Sequence, residues 1–401
     1  MTVKQIYELM NTVTGEVLGK TDLVAEDLSN VVDVGTEVFN ATAVDNYVKT
    51  LVNHIGKVIF VNRPYSGKIP SVLMDSWEFG SVLEKISCDT PAAEENESWD
   101  LVDGQEYKQD IFYKPTVSAK FFNSKVTFEV PMSFTEKQVK ESFSNAAQLN
   151  GFISMIYNAV DRSMTIKIDG LVMRTINSMI AQTLNADKTA FAGGYGTAST
   201  ARCVNLLKLY NDKFFPATGS AANPDALTAD KAIYDPDFIR FASYTMGVYV
   251  DRLASISTLF NVGGKDRFTD ANNLHVIMLS DFAKGADVYL QSDVRHNEMT
   301  RLPNYETVPY WQGSGQNYEF DSTSAINVKI DASTTVDIDG IVGVMFDRDA
   351  LGVSNLDRRV TTAYNAKAEF FNNYYKFDAG YFNDTNENFV VFFVSDAKTG
   401  S

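Results

Sequence analysis

Cysteine, histidine and clustered positive charge are scarce in this sequence, and each scarcity removes a class of function. The two cysteines, Cys88 and Cys203, lie far apart without metal-ligand spacing, which excludes a disulfide framework and suggests a reducing interior. The three histidines, His54, His275 and His296, are scattered. His296-Asn297-Glu298 has the H-x-E form of a zinc deaminase, yet no P-C-x-x-C accompanies it, so the ligand count fails. No run of basic residues occurs, and 51 acidic against 35 basic residues leave a formal charge of -16. Such a chain repels phosphate backbones and anionic lipid, which argues against duplex binding but is compatible with a wall that faces nucleic acid without holding it. No apolar stretch reaches the roughly 18 residues of a membrane span, and MTVKQIYELM lacks the basic-then-apolar order of a signal peptide. The expectation is a soluble protein, made where it works.

Catalytic signatures are equally thin. Gly193-Gly194-Tyr195-Gly196 lacks the Lys-Ser/Thr of a phosphate loop and the spacing of a dinucleotide fingerprint, so it reads as a surface loop. Asp337-Ile338-Asp339-Gly340 resembles part of a calcium loop, but Thr335 and Phe346 stand at the first and twelfth ligand positions, and a turn between strands fits better. No G-x-S-x-G is present. Trp77-Glu78 and Trp99-Asp100 pair rings with carboxylates as sugar sites do, but the surrounding acids are too many to single out a catalytic two. The glycosylation sequons at Asn40, Asn96 and Asn383 carry no meaning without secretion. No catalytic residue, cofactor or metal is assigned.

What is present is a folding chain, 401 residues long and 45% hydrophobic, ample for real cores. Residues 1–56 read as a short arm with one or two helical turns at VKQIYELM and little periodicity after it. VIFVNRP (58–64) and the alternating KVTFEV (125–130) read as the strand ends of one long excursion. Between them, residues 75–110 hold eleven acids against Lys85 and Lys108, a tip that belongs in water or against a basic neighbour. Ser133 and Glu136 have capping-box spacing before a short helix. From about Ala146 to Leu184, Leu149, Ile153, Ile156, Val160, Met164, Ile168 and Leu171 recur with helical spacing. Gly151 and Gly170 leave two readings open, one helix of about 58 Å or two helices broken near Gly170. Asp235-Pro236 caps a further helix expected to stop before Gly263. LHVIML, INVKIDA and GIVGVMFD read as strands, and SDFAKGADVYLQ as a helix. This uneven alternation gives an α+β class without an internal repeat.

Residues 370–393, FFNNYYKFDAGYFNDTNENFVVFF, hold ten aromatic residues and no histidine or cysteine. FVVFFV reads as buried core, whereas the rings from Phe370 to Phe377 read as adhesive, with tyrosine hydroxyls and Asn amides at a polar rim. At MFDRDALGVSNLDRRVTTAYNAKAEFFNNYYKFDAGYFND (345–384) and VDNYVKTLVNHIGKVIF (44–60) the chain resembles major capsid proteins of tailed phages. More narrowly, it is similar to the major head proteins of small short-tailed phages of the phi-twenty-nine kind.

That resemblance implies the Hong Kong 97-type fold. Its parts would be an N-terminal arm (1–56), an extended β-hairpin loop (57–132), a peripheral domain with a long spine helix (133–189 and 340–401) and an axial domain (190–339). It implies self-assembly through pentamers and hexamers into an icosahedral virion shell around double-stranded DNA, built in the host cytoplasm with a portal protein. Other members carry an immunoglobulin-like domain or a cleaved scaffolding region. This chain ends soon after Phe393 and its arm is short, so a separate scaffolding protein and no large proteolytic maturation are expected. No position matches the family's Lys-Asn cross-link. Arg63, Arg358 and Arg359 are candidates to meet acidic tips, and Trp77, Trp99, Tyr374 and Tyr375 to supply ring contacts between subunits. The rival readings are an encapsulin-like nanocompartment shell of the same fold, and an acidic glycan-binding protein or glycoside hydrolase.

Overall fold

The computed structural model describes residues 3–19, 24–40, 46–47, 50–51, 69–74, 83–91, 93, 95–107, 110, 112–217, 223–291, 305–312 and 319–396. In chain order the helices of more than one turn are α1 (Val3–Leu18), α2 (Val31–Asn40), α3 (Glu136–Ser142), α4 (Ala146–Ala186), α5 (Leu206–Phe214), α6 (Pro236–Ala254) and α7 (Ser280–Gln291). The strands are β1 (Leu73–Met74), β2 (Leu83–Cys88), β3 (Val117–Phe122), β4 (Lys125–Thr135), β5 (Cys203–Asn205), β6 (Leu274–Leu279) and β7 (Tyr305–Val308). They continue with β8 (Ile326–Lys329), β9 (Thr335–Ile338), β10 (Ile341–Asp347), β11 (Leu351–Asn365), β12 (Phe370–Asn383) and β13 (Phe389–Phe393). These elements form two compact units, Met1–Phe79 with Lys125–Val172 and Val353–Gly380, and Gly80–Ser124 with Met173–Gly352 and Tyr381–Ser401.

The first unit is organised by a four-stranded sheet in the order β1-β11-β12-β4. Strand β12 alternates strictly: Phe371, Asn373, Tyr375 and Phe377 are buried, while Asn372, Tyr374, Lys376 and Asp378 on the other face are half-exposed. This is the pattern of a sheet with one covered face. KVTFEV lies in β4, antiparallel to β12 from Phe370 opposite Thr135 to Gly380 opposite Lys125. Its putting-together with VIFVNRP lies outside the described residues.

The arm is more helical than its sequence suggests. Ile6, Leu9, Met10 and Val13 of α1 and Val31, Val34 and Val38 of α2 are buried, and the Tyr47 ring meets Phe143 with centroids 6.3 Å apart. The spacing within each helix is regular, and the polar loop between them breaks the period of the stretch as a whole. The first cap also shifts by two residues. Thr135, not Ser133, accepts from the Gln138 amide, and the Gln138 side chain returns to the Thr135 amide. Ser133 remains in β4 and donates instead to Asn372 across the sheet.

Helix α4 is continuous through Gly151 and Gly170, 41 residues in all, which decides between the two open readings. At both glycines a Cβ would meet nothing, so nothing there forces a break. Its first part buries one face through Leu149, Ile153, Ile156, Val160, Met164 and Ile168. Its last turns, from Thr175 to Leu184, are buried nearly all round, which is why the amphipathic period fades towards the end.

The second unit is built on a five-stranded mixed sheet in the order β5-β13-β10-β6-β7. Strand β13 runs between β5 and β10 and every residue in it is buried, so its apolar run is continuous rather than alternating. Helix α5 packs on β13 and α7 on β6 and β7, with α6 in contact with both helices. Asp235 caps α6 by accepting from the Phe238 amide, with Pro236 in the first turn, as the sequence predicts. The helix ends at Ala254, well before Gly263, because the chain turns into a bridge between Ser257 and Arg267. The calcium-loop-like Asp337-Ile338-Asp339-Gly340 is the β9 end and a turn. Gly340 has φ +82, and a Cβ there would collide with the Val394 carbonyl.

Candidate functional site

The hairpin of β2 and β3 forms a two-stranded sheet of its own. The register places Leu83 opposite Phe122, Lys85 opposite Lys120 and Ser87 opposite Ser118 on one face, and Glu84 opposite Phe121, Ile86 opposite Ala119 and Cys88 opposite Val117 on the other. The hydropathy order is inverted. Lys85 and Lys120 turn towards the unit, whereas Ile86, Phe121 and Val117 stand in solvent. The connecting residues 89–116 add Trp99, 94% exposed, together with Leu101, Val102, Phe112 and Tyr113. Exposed apolar side chains gathered on one hairpin and its connection mark a contact awaiting a partner.

The inward face ends in a charge cluster. Asp384, whose side chain is 2% exposed, receives Lys85 and Lys120 at 3.0 Å each. Glu387 receives Lys85 at 2.8 Å and Arg267 at 3.2 Å. Lys85 also donates to the Asp349 carbonyl and Lys120 to the Thr385 hydroxyl. Burial pushes the Asp384 pKa up, but Lys120, the Asn386 amide and Lys85 outweigh it and hold the carboxyl below its usual value. Burial pushes Lys85 down, and Glu387 and Asp384 outweigh that in turn, so the ammonium is raised. Beyond the stem, Lys265 grips Asp89 at 2.7 Å.

The residues singled out from the sequence fall in different places. Arg63 and Trp77 lie outside the described residues, and Arg358 is in β11 with its side chain outside them. Trp99 stands in solvent at the tip. Arg359 is engaged within its own chain, 2.8 Å from Asp378, which also accepts from Thr127. Tyr374 is half-buried on the outer face of β12 beside Lys376, whose ammonium lies 5.8 Å from the ring centre. Tyr375 is completely buried, and burial raises its hydroxyl pKa, so it serves the core and offers no surface. The exposed Ile86, Phe112, Tyr113 and Phe121 escaped the sequence reading because solvent-facing apolar residues invert the usual pattern.

The described residues of the second unit border cavities of two kinds. One, of about 780 Å³, is bordered by Leu209, Phe241, Tyr244, Tyr249, Ile256 and Phe260. The other, of about 480 Å³, has the Gly193–Gly196 loop on one side and Asp321, Asp337, Asp339 and Asp396 around it. Cys88 is an exposed free thiol and Cys203 a buried one. Among the described residues no helix is long and apolar enough to cross a membrane, and no cluster of three or more His, Cys, Asp or Glu is placed to hold a metal ion.

Comparison with known proteins places these features. The family model of the Phi29-like phage major capsid protein matches residues 10–393. The chain belongs to that family. Among solved structures, the capsid of Staphylococcus phage Andhra is similar at 7% identity, with 83% of this chain and 86% of that chain covered and a TM-score of 0.50. The capsid of Cyanophage P-SCSP1u (8% identity, 81% and 87% covered, TM-score 0.41) and the mature capsid of bacteriophage PhiM1 (10% identity, 83% and 87% covered, TM-score 0.39) are more distant. No curated protein sequence matches. This phage major capsid protein is therefore a structural shell component with the α+β Hong Kong 97-type fold, and it assembles with copies of itself into the virion shell.

Proposed function

We propose that copies of this capsid protein close into pentamers and hexamers of an icosahedral head around double-stranded DNA, with the hairpin of β2 and β3 lying on a neighbouring copy. The observation that carries this reading is the exposed apolar face of the hairpin, Ile86, Phe121 and Val117, together with the exposed Trp99, Phe112 and Tyr113 in its connection. Water is a poor permanent environment for that surface, and an identical subunit is the partner always present at matching concentration. In this scheme residues 1–56 are the arm, 57–132 the extended loop, 133–189 and 340–401 the peripheral domain and 190–339 the axial domain. Trp99 is the ring contact among the candidates, and Arg63, Trp77, Arg358 and Tyr374 join it at subunit contacts. A net charge of -16 suits an inner wall along which packed DNA slides without sticking. A separate scaffolding protein and a portal complete the assembly in the host cytoplasm, and the subunit itself performs no catalysis.

Negative-stain microscopy and light scattering of the purified protein test the proposal. Closed particles hundreds of ångströms across support it, and a protein that stays monomeric at every concentration and salt condition, with and without scaffold, overturns it. Nuclease-protected DNA inside particles from infected cells separates a genome container from an enzyme-packaging nanocompartment.

A further inference from the structure

The hairpin is joined to the rest of its unit with little apolar contact. Of its stem residues only Phe122 is buried, its ring 5.0 Å from that of Phe382. The rest of the described attachment is polar, made by the ammonium groups of Lys85 and Lys120. Lys85 and Lys120 sit directly opposite each other on adjacent strands, an arrangement that is repulsive in the absence of a counter-charge. Asp384 supplies it, one carboxylate oxygen to each lysine, from the turn between β12 and β13. Glu387 from the same turn joins Lys85 to Arg267, and the separate Lys265–Asp89 pair steadies the strand beyond.

We infer that Asp384 is an ionic latch that sets the direction of the hairpin, so that its exposed apolar face is presented in one orientation before any neighbour arrives. The latch joins two stem strands through a single carboxylate. Neutralising that group therefore does more than remove one pair: it takes the shared counter-charge from two facing ammonium groups, leaves Glu387 against Lys85, and loosens both strands together. Apolar packing alone, one ring pair, does not replace it. Preorganisation of this kind lowers the ordering cost of association. The inference rests on the proposed role of the hairpin as a contact between copies, but the state of the latch is measurable without assembly.

The experiment is hydrogen-exchange mass spectrometry on the unassembled full chain, comparing the natural protein with Asp384→Asn and Lys120→Gln. The expected result is exchange about tenfold faster or more in residues 83–88 and 117–122 for Asp384→Asn, a smaller acceleration for Lys120→Gln, and unchanged protection of β13 in both. Stem exchange that stays at the natural rate in the folded variants overturns the latch. If Asp384→Asn does not fold, Lys120→Gln, whose side chain is more exposed, decides by the same criterion. Particle formation by the natural protein is scored separately. Its failure removes the shell role of the hairpin while leaving the exchange result standing, and normal particles with unaltered stem exchange overturn the latch alone.

Discussion

Asn205 shows how much one buried amide does in the second unit. Its side chain donates to the Tyr195 and Ser395 carbonyls and accepts from the Lys208 amide, capping α5 and tying it to the end of β13. Asn205→Ala leaves those groups without partners, and a loss of about 2–4 kcal/mol in urea unfolding is expected. Protonation acts at this scale too. Burial and the nearby Arg348 depress the His275 pKa against the opposing pull of Asp347, and among the described residues neither ring nitrogen has a hydrogen-bond partner. A base depressed in the fold takes up protons more readily when unfolded, so stability is complete above its ordinary value of 6.5 and falls as the pH drops below it. Asp384 is a depressed acid, whose contribution is complete above its ordinary 3.8 and is lost as the pH falls through the lower folded value. Thermal unfolding followed by circular dichroism should therefore decline in two separate acid windows. His275→Leu should remove the upper one, and Asp384→Asn should shrink the lower, to which the depressed carboxyls of Glu136, Asp331 and Asp378 also contribute.

At the scale of elements, α4 and the aromatic strands divide what sequence pattern reveals from what it conceals. The helical character of this stretch was legible from the spacing of Leu149 to Leu171, but whether Gly170 interrupted it, and so the length of α4, was not, because glycine weakens a helix by an amount that packing overrides. In the folded chain Gly170 is exposed with open space where a Cβ would stand. Gly170→Ala should consequently stabilise the protein by about 0.5–1 kcal/mol in denaturant titration, whereas Gly170→Pro should cost about 3 kcal/mol or more. The ring-rich stretch separates in the same physical way. Strand β13 was legible as core because it is central in its sheet, and its run of Phe and Val has no polar interruption. In β12 the rings fall on both faces, Phe371, Tyr375 and Phe377 inward and Phe370 and Tyr374 outward, so counting aromatic residues overstated the surface they offer. The stem of β2 and β3 went unread because Lys85 and Lys120 turn in while Ile86 and Phe121 turn out.

For the whole molecule, the exposed tip separates folding from assembly. The described residues within 91–105 contribute nothing to the buried core. Deleting 91–105 should leave the subunit folded with a near-native circular dichroism spectrum and melting temperature, yet impair closed particles in negative stain. A milder version replaces Trp99 and Phe112 with Ser. Unfolding free energy should change by no more than about 0.5 kcal/mol per substitution, as for other surface positions, while particle yield falls. Destabilisation of the isolated subunit, or particles of unchanged yield and stability, would count against the tip as a contact.

Composition and pattern by themselves determined that this chain folds with real cores, that it carries an α+β mixture with a long helical stretch, that its surface repels polyanions, and that its chemistry is not that of a familiar enzyme motif. Those properties follow from local spacing and summed charge, which need no knowledge of which distant residues meet. Only the tertiary structure decided that Lys85 and Lys120 share a carboxylate with the turn after β12, that Arg359 is already engaged by Asp378, and that Tyr375 lies inside while Trp99 stands outside. The reason is that pairing register and ion pairing depend on which segments meet, 19 residues apart for Arg359 and Asp378 and 264 for Lys120 and Asp384, and no local period records them.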